Sequence, residues 1–214
     1  ELSRAYYGAA ITVAGIIGYS SFLAYALYPR LLSETRPEDA SVSLKMVLMF
    51  AIPMTIGTMI LSDSFLVILN PLYVIAKFAL ILSSLYILCL TLLSIFDAIV
   101  SGTEKLDAEA KIRYSNMLRS RLFFSVTLSY AQAAVSLPLT YLVLTSVVED
   151  AVEAATAFAL INLLASMAIT MAKYAIARRC LAFSVPWGSI GKYLAASLVM
   201  ALVLSLLPTP TRIS

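Results

Sequence analysis

The stretch AYYGAAITVAGIIGYSSFLAYALYP (residues 5–29) runs for twenty-five residues between Arg4 and Arg30 without one charged side chain. A helix rising about 1.5 Å per residue crosses a bilayer's hydrocarbon core in roughly twenty residues, so this run is long enough to span a membrane. Comparable charge-free runs follow at 46–62, 78–96, 122–148, 154–172 and 193–211. Six crossings fit the chain. Because hydrocarbon offers no hydrogen-bond partners, every backbone amide must be paired within its own segment, which selects helices. A barrel would need alternating segments of about ten residues, and no such pattern appears.

Working outward, the chain of 214 residues is 61% hydrophobic and only 13% charged, about half the charge content of an average soluble domain. The reading is therefore an all-α, polytopic transmembrane bundle in one unit, 1–214. Its spans are expected at about 6–28, 43–61, 74–101, 120–146, 153–177 and 190–207. The second span is short unless Lys45 reaches the interface along its aliphatic stem. Between the second and third, SDSFLVILNPLYVIAK (62–77) is too short to cross again. Asn70-Pro71 marks a turn there, so a short outer-surface helix followed by a turn is expected.

Charge placement orients the bundle, since Lys and Arg accumulate in cytoplasmic connections. Connections after the first, third and fifth spans carry Arg30, Arg36 and Lys45, then Lys105, Lys111, Arg113, Arg119 and Arg121, then Lys173, Arg178, Arg179 and Lys192. The other side has Arg4, Lys77 and Arg212, and its fourth connection, with Glu149, Asp150 and Glu153, is acidic. Twelve cations against three place 30–45, 103–121 and 178–192 in the cytoplasm and both ends of the chain outside. The chain begins at Glu1 without a signal peptide, so it is expected to be a fragment preceded by an odd number of helices. Cys89 within a span and Cys180 in a cytoplasmic loop are expected to be free thiols.

Particular residues carry packing or chemistry. Ala10, Ala14 and Gly18 form a small-residue face for a close helix neighbour. Pro53 and Pro138 fall inside spans, where each removes a backbone hydrogen bond; they serve either as hinges or as ordinary packing residues. Gly102 reads as a helix stop, with a short amphipathic helix in the loop beyond it. The fourth and fifth spans should form a tight hairpin, with Ala154, Ala157, Ala165, Ala168 and Ala172 along one side of the fifth. Trp187 and Tyr193 read as interfacial anchors.

Three polar residues are candidates for a cavity or coupling site. Asp97 lies inside the third span, at a cost of up to about 3 kcal/mol near a helix centre. It either marks a pathway or reaches cytoplasmic head groups and Lys105. Gln132 and Asn162 sit near the middles of the fourth and fifth spans, where they either hydrogen-bond across the hairpin or line a cavity. Lys77 and Lys173 read as interfacial, leaving no cation deep within a span. With no histidine, no paired aspartates one turn apart, no glycine-rich phosphate loop and no nucleophile elbow, a non-enzymatic protein is expected, without metal or cofactor.

The order of features resembles the C-terminal half of polysaccharide-biosynthesis flippases of the multidrug/oligosaccharidyl-lipid/polysaccharide (MOP) exporter superfamily. The resemblance is carried by AYYGAAITVAGIIGYSSFLAYALYPRLLSE (5–34), with Pro29, Arg30 and Leu31 at its end, and by SLKMVLMFAIPMTIGTMILSDSFLVIL (43–69), with its central proline. It continues through SSLYILCLTLLSIFDAIVSGTEKLD (83–107) and AKYAIARRCLAFSVPWGSIGKYLAASLVMALVLSLL (172–207). The resemblance implies one of two pseudo-symmetric bundles and movement of a lipid-linked oligosaccharide across the cytoplasmic membrane by alternating access. Its partners would be membrane lipid, that substrate and an upstream helix bundle of the same protein, with no nucleic acid. Competing expectations are a drug/cation antiporter of the same superfamily, the permease subunit of an ATP-driven transporter, and an integral membrane glycosyltransferase.

Overall fold

A computed structural model describes residues 1–25, 36–103, 121–146, 148 and 150–206. Among these the secondary structure is helical, with no strand. The elements are α1 (Leu2–Gly18), continuing as a 3-10 turn over Tyr19–Ala24, then α2 (Pro37–Ile60) and the short α3 (Ser62–Leu69). A 3-10 turn at Pro71–Ala76 leads into α4 (Lys77–Thr103), followed by α5 (Arg121–Ser146), α6 (Ala151–Cys180) and α7 (Trp187–Leu206). Six of these helical stretches, all but α3, are long and apolar enough to cross a membrane. The Pro29-Arg30-Leu31 motif, Lys105, the expected loop helix, Glu149 and the tail from 207 onward lie outside the described residues.

Local chemistry explains the boundaries. α2 opens with Pro37 in its first turn, where the missing N–H costs nothing, and with Glu38 and Asp39 against the positive end of the helix dipole. It therefore starts before the apolar run does, and residues 37–45 are helix rather than loop. Asn70 is extended, at φ −167°, and its side chain accepts from the Leu72 amide at 3.0 Å, closing the turn expected at Asn70-Pro71. α6 has Glu153 in its first turn and Arg178 and Arg179 in its last, again matching the dipole. α4 continues through Gly102 to Thr103. Gly102 is buried in that last turn, so here it is a packing residue and not the stop.

Contacts fix the relative direction of the helices. Tyr7 meets Phe158 and Gly18 meets Ile87, while residues late in α4 meet residues late in α6. The three odd-numbered spans α1, α4 and α6 thus run parallel as an inner trio, and α2 packs across α1 and α4. α7 lies on α2, and α5 lies on the outer side of α6. Two apolar clusters fill the trio. One joins Ala10, Val13 and Ala14 to Leu66, Leu80, Ala155 and Ala159 near the start of α4. The other joins Val47 and Ala51 to Ile95, Ile99, Val100, Ala177 and Phe183 near its end.

The small-residue face of α1 is used as expected. Ala10 and Ala14 are fully buried, and a methyl group added at Gly18 would touch Ile87 Cγ2 at 3.7 Å. Hydroxyls inside the spans mostly bond back to their own helix, as Thr55 does to the Ala51 carbonyl at 2.7 Å and Ser84 to that of Leu80 at 2.8 Å. Both Pro53 and Pro138 sit within continuous helices.

The α5–α6 hairpin differs from expectation. α6 spends most of its packing surface on α4, and α5 touches α6 along one narrow stripe, with Ser125 its one buried residue among those described. Ala165, Ala168 and Ala172 do not close against α5. They form one wall of an apolar cleft of about 360 Å³, whose other wall is Leu128, Ala131, Gln132, Val135 and Leu139. Small side chains permit close approach, but burial drives it only where both surfaces find better partners than lipid.

Candidate polar site between α4, α5 and α6

The parallel pairing of α4 and α6 brings polar residues into register along one seam. On α6 they are Asn162, Ser166, Thr170 and Lys173, spaced by four, four and three, which keeps them on one face. Near the start of the seam Asn162 meets the Tyr7 hydroxyl, and the Tyr7 ring packs edge-on against Phe158 at 4.6 Å. One turn on, Ser166 meets the Cys89 thiol. The Thr170 hydroxyl then donates to the Cys89 carbonyl at 3.4 Å.

The seam ends in an ion pair. Lys173 Nζ donates to Asp97 Oδ1 at 2.7 Å and to Oδ2 at 2.9 Å. Ser125 Oγ, from the second turn of α5, donates to the same Oδ1 at 2.9 Å, so three separate spans converge on one carboxylate. Lys173 is buried, at 3% side-chain exposure, whereas Asp97 keeps 38%. Chain neighbours of the pair, Phe96 and Tyr174, bring their rings to 5.5 Å, and Phe183 completes an aromatic trio at 6.4 and 6.2 Å. This apolar packing belongs to the core at the end of α4 and keeps water from that side of the pair.

The other side opens. A cavity of about 490 Å³ is bordered by Asp97, Ser101, Ser125, Val126, Ser129, Tyr130, Ala133 and Lys173. Asp97 is six residues from the end of α4 and Lys173 seven from the end of α6, so the pair sits roughly 9–10 Å inside the helix ends. Among the described residues no group of three or more histidine, cysteine, aspartate or glutamate side chains could hold a metal ion.

The sequence-derived candidates separate. Asp97 lies at the centre of the site. Asn162 belongs to the same seam but lies beside Tyr7 of α1, and no hydrogen bond joins it to Gln132 among the described residues. Gln132 instead lines the apolar cleft on the other side of the α5–α6 contact. Lys173, read as interfacial, turns inward between the helices, where it is buried and Asp97 meets it. Lys77, likewise read as interfacial, is half-exposed and paired with Asp63 at 2.6 Å. Ser125 was missed because nothing about a lone serine near a span end distinguishes it. The Asp97–Lys173 pair did leave a signal, namely opposite charges at nearly equal depth in two spans of the same direction.

Fold and site together define the class, an α-helical bundle with six helices long and apolar enough to cross a membrane and a charge-bearing cavity between three of them. No family model, curated protein or solved structure matches the chain.

Proposed function

We propose that this chain is the helical bundle of a transporter that moves a lipid-linked oligosaccharide across the cytoplasmic membrane by alternating access. The observation that carries the proposal is the Asp97–Lys173–Ser125 cluster facing a cavity between three of the helices. A sugar head group cannot cross hydrocarbon unaided, and charged groups in a membrane interior are costly unless they serve a path or pair with one another. The order of sequence features resembling the MOP flippases supports the same reading. In this proposal the basic connections face the cytoplasm and both ends of the described chain face outward.

In vesicles reconstituted with the protein, Asp97→Asn is expected to lower the rate at which a fluorescent lipid-linked oligosaccharide changes leaflets. Unchanged transport would leave Asp97 with a purely structural role. For orientation, the thiol introduced by Arg36→Cys in intact cells should resist a membrane-impermeant maleimide, and rapid labelling from outside would invert the proposed topology.

The half-exposed Asp97 carboxylate also favours a second reading, a drug/cation antiporter, because such carriers need an acid within the spans that can exchange one cation for another. Proton movement driven by an amphiphilic cation, absent with lipid-linked sugar, would select that reading.

A further inference from the structure

The cavity has a mainly apolar wall, including Val126, Ala133 and the Tyr130 ring, into which hydroxyls and one charge pair are set, and its charge is arranged unequally. Lys173 directs its ammonium to both oxygens of Asp97 and is nearly inaccessible, whereas the carboxylate retains more than a third of its surface. An incoming group therefore meets the anionic partner first. The formal charges cancel, so among the described lining residues no net positive charge faces the cavity. A phosphate entering here would lose hydration and approach a carboxylate, the arrangement in which like charges repel most strongly at low dielectric.

The rest of the wall has the opposite preference. Ser101, Ser129 and Tyr130 present hydroxyls that can donate and accept, Ser125 has its proton engaged by Asp97, and Asp97 has acceptor capacity beyond its present bonds. Ser129 Oγ is held only by a 3.4 Å bond to its own helix, and the Tyr130 side chain is 73% exposed. Such a surface matches a polyol, with alternating hydroxyls for the carboxylate and serines and an apolar ring face for the phenol. Its volume of about 490 Å³ lies within the range of small-molecule sites, roughly 300–1,000 Å³.

We propose that this cavity takes the uncharged, hydroxyl-rich part of a saccharide and rejects the anionic phosphate of a lipid carrier, with Asp97 and Tyr130 as the contacting residues. The assignment rests on the transporter reading for its biological setting, but the binding chemistry can be tested separately. In full-length protein carrying Cys89→Ser and Cys180→Ser, the thiol introduced by Ser129→Cys reports on occupancy through its maleimide labelling rate. Maltotriose should slow labelling several-fold and inorganic pyrophosphate should not. Adding Tyr130→Ala should abolish the sugar's effect.

Adding Asp97→Asn instead leaves Lys173 uncompensated, so protection by pyrophosphate should appear. Protection of the unmodified cavity by pyrophosphate, or protection by neither probe, would overturn the assignment. Leaflet exchange of lipid-linked oligosaccharide, measured on the same preparation, separates the two ideas. Exchange without sugar protection sinks the cavity assignment alone, whereas sugar protection without exchange sinks the transporter reading and leaves the cavity as a saccharide site.

Discussion

The Lys77–Asp63 pair and the Lys173–Asp97 pair have nearly the same length, 2.6 and 2.7 Å, and the same chemistry. Their surroundings differ. The first ties the short α3 to the start of α4 with both side chains about two-fifths exposed. There, water screens the attraction, and the entropy of holding two flexible side chains nearly offsets it. The second lies within the helices, where Lys173 is nearly inaccessible to water and a third helix adds Ser125 to the carboxylate. Distance alone does not rank an ion pair; what each charge would face without its partner does.

The largest expected effect follows from leaving the buried cation alone. Asp97→Leu should cost about 3 kcal/mol, the low end for breaking a buried pair because Asp97 itself borders the cavity. Unfolding in mixed detergent would measure it, and adding Lys173→Met should recover most of the loss. If the double variant is no more stable than the single, the pair is not what holds these helices together.

A smaller effect is expected from Ser125→Ala, which removes one hydrogen bond to a charged acceptor and should cost roughly 1.5 kcal/mol. Because Ser125 is the buried residue by which α5 joins the site, this variant should also speed proteolysis of α5 relative to α6. The smallest concerns the exposed pair: Asp63→Asn should change stability by about 0.5 kcal/mol or less, and high salt should erase that difference. A loss as large as that of Asp97→Leu would abolish the contrast between the two pairs.

Much of the architecture was legible because membrane insertion imposes a simple rule on composition. Charge-free runs located all six spans within a few residues of their observed places, apart from the early start of α2. Asn70-Pro71 located the turn after α3, and Ala10, Ala14 and Gly18 identified the face on which α1 meets its neighbours. The rule does not say which helices touch. Both α5 and α6 are long and apolar enough to cross a membrane, yet α6 packs deeply and α5 barely does.

That choice depends on shape and on polar partners contributed by distant parts of the chain. Hence Asn162 found Tyr7 rather than Gln132, and Lys173, four residues from the expected end of its span, turned inward. Only the parallel register of α4 and α6 reveals that Asp97 lies beside it.

The 76 residues separating Asp97 from Lys173 also set an order of events during synthesis. The helix bearing the carboxylate leaves the ribosome two spans ahead of the helix bearing the ammonium. A lysine inside a nascent span raises the free energy of its entry into lipid, by up to about 2.5–3.5 kcal/mol at a helix centre and by less at Lys173, seven residues from the end of its helix. Here the counter-charge is already resident when that span reaches the translocon. Partitioning of the fifth span thus becomes a cooperative step, conditional on a helix made earlier, and its biogenesis is coupled to an acid that hydropathy alone would count only as a penalty.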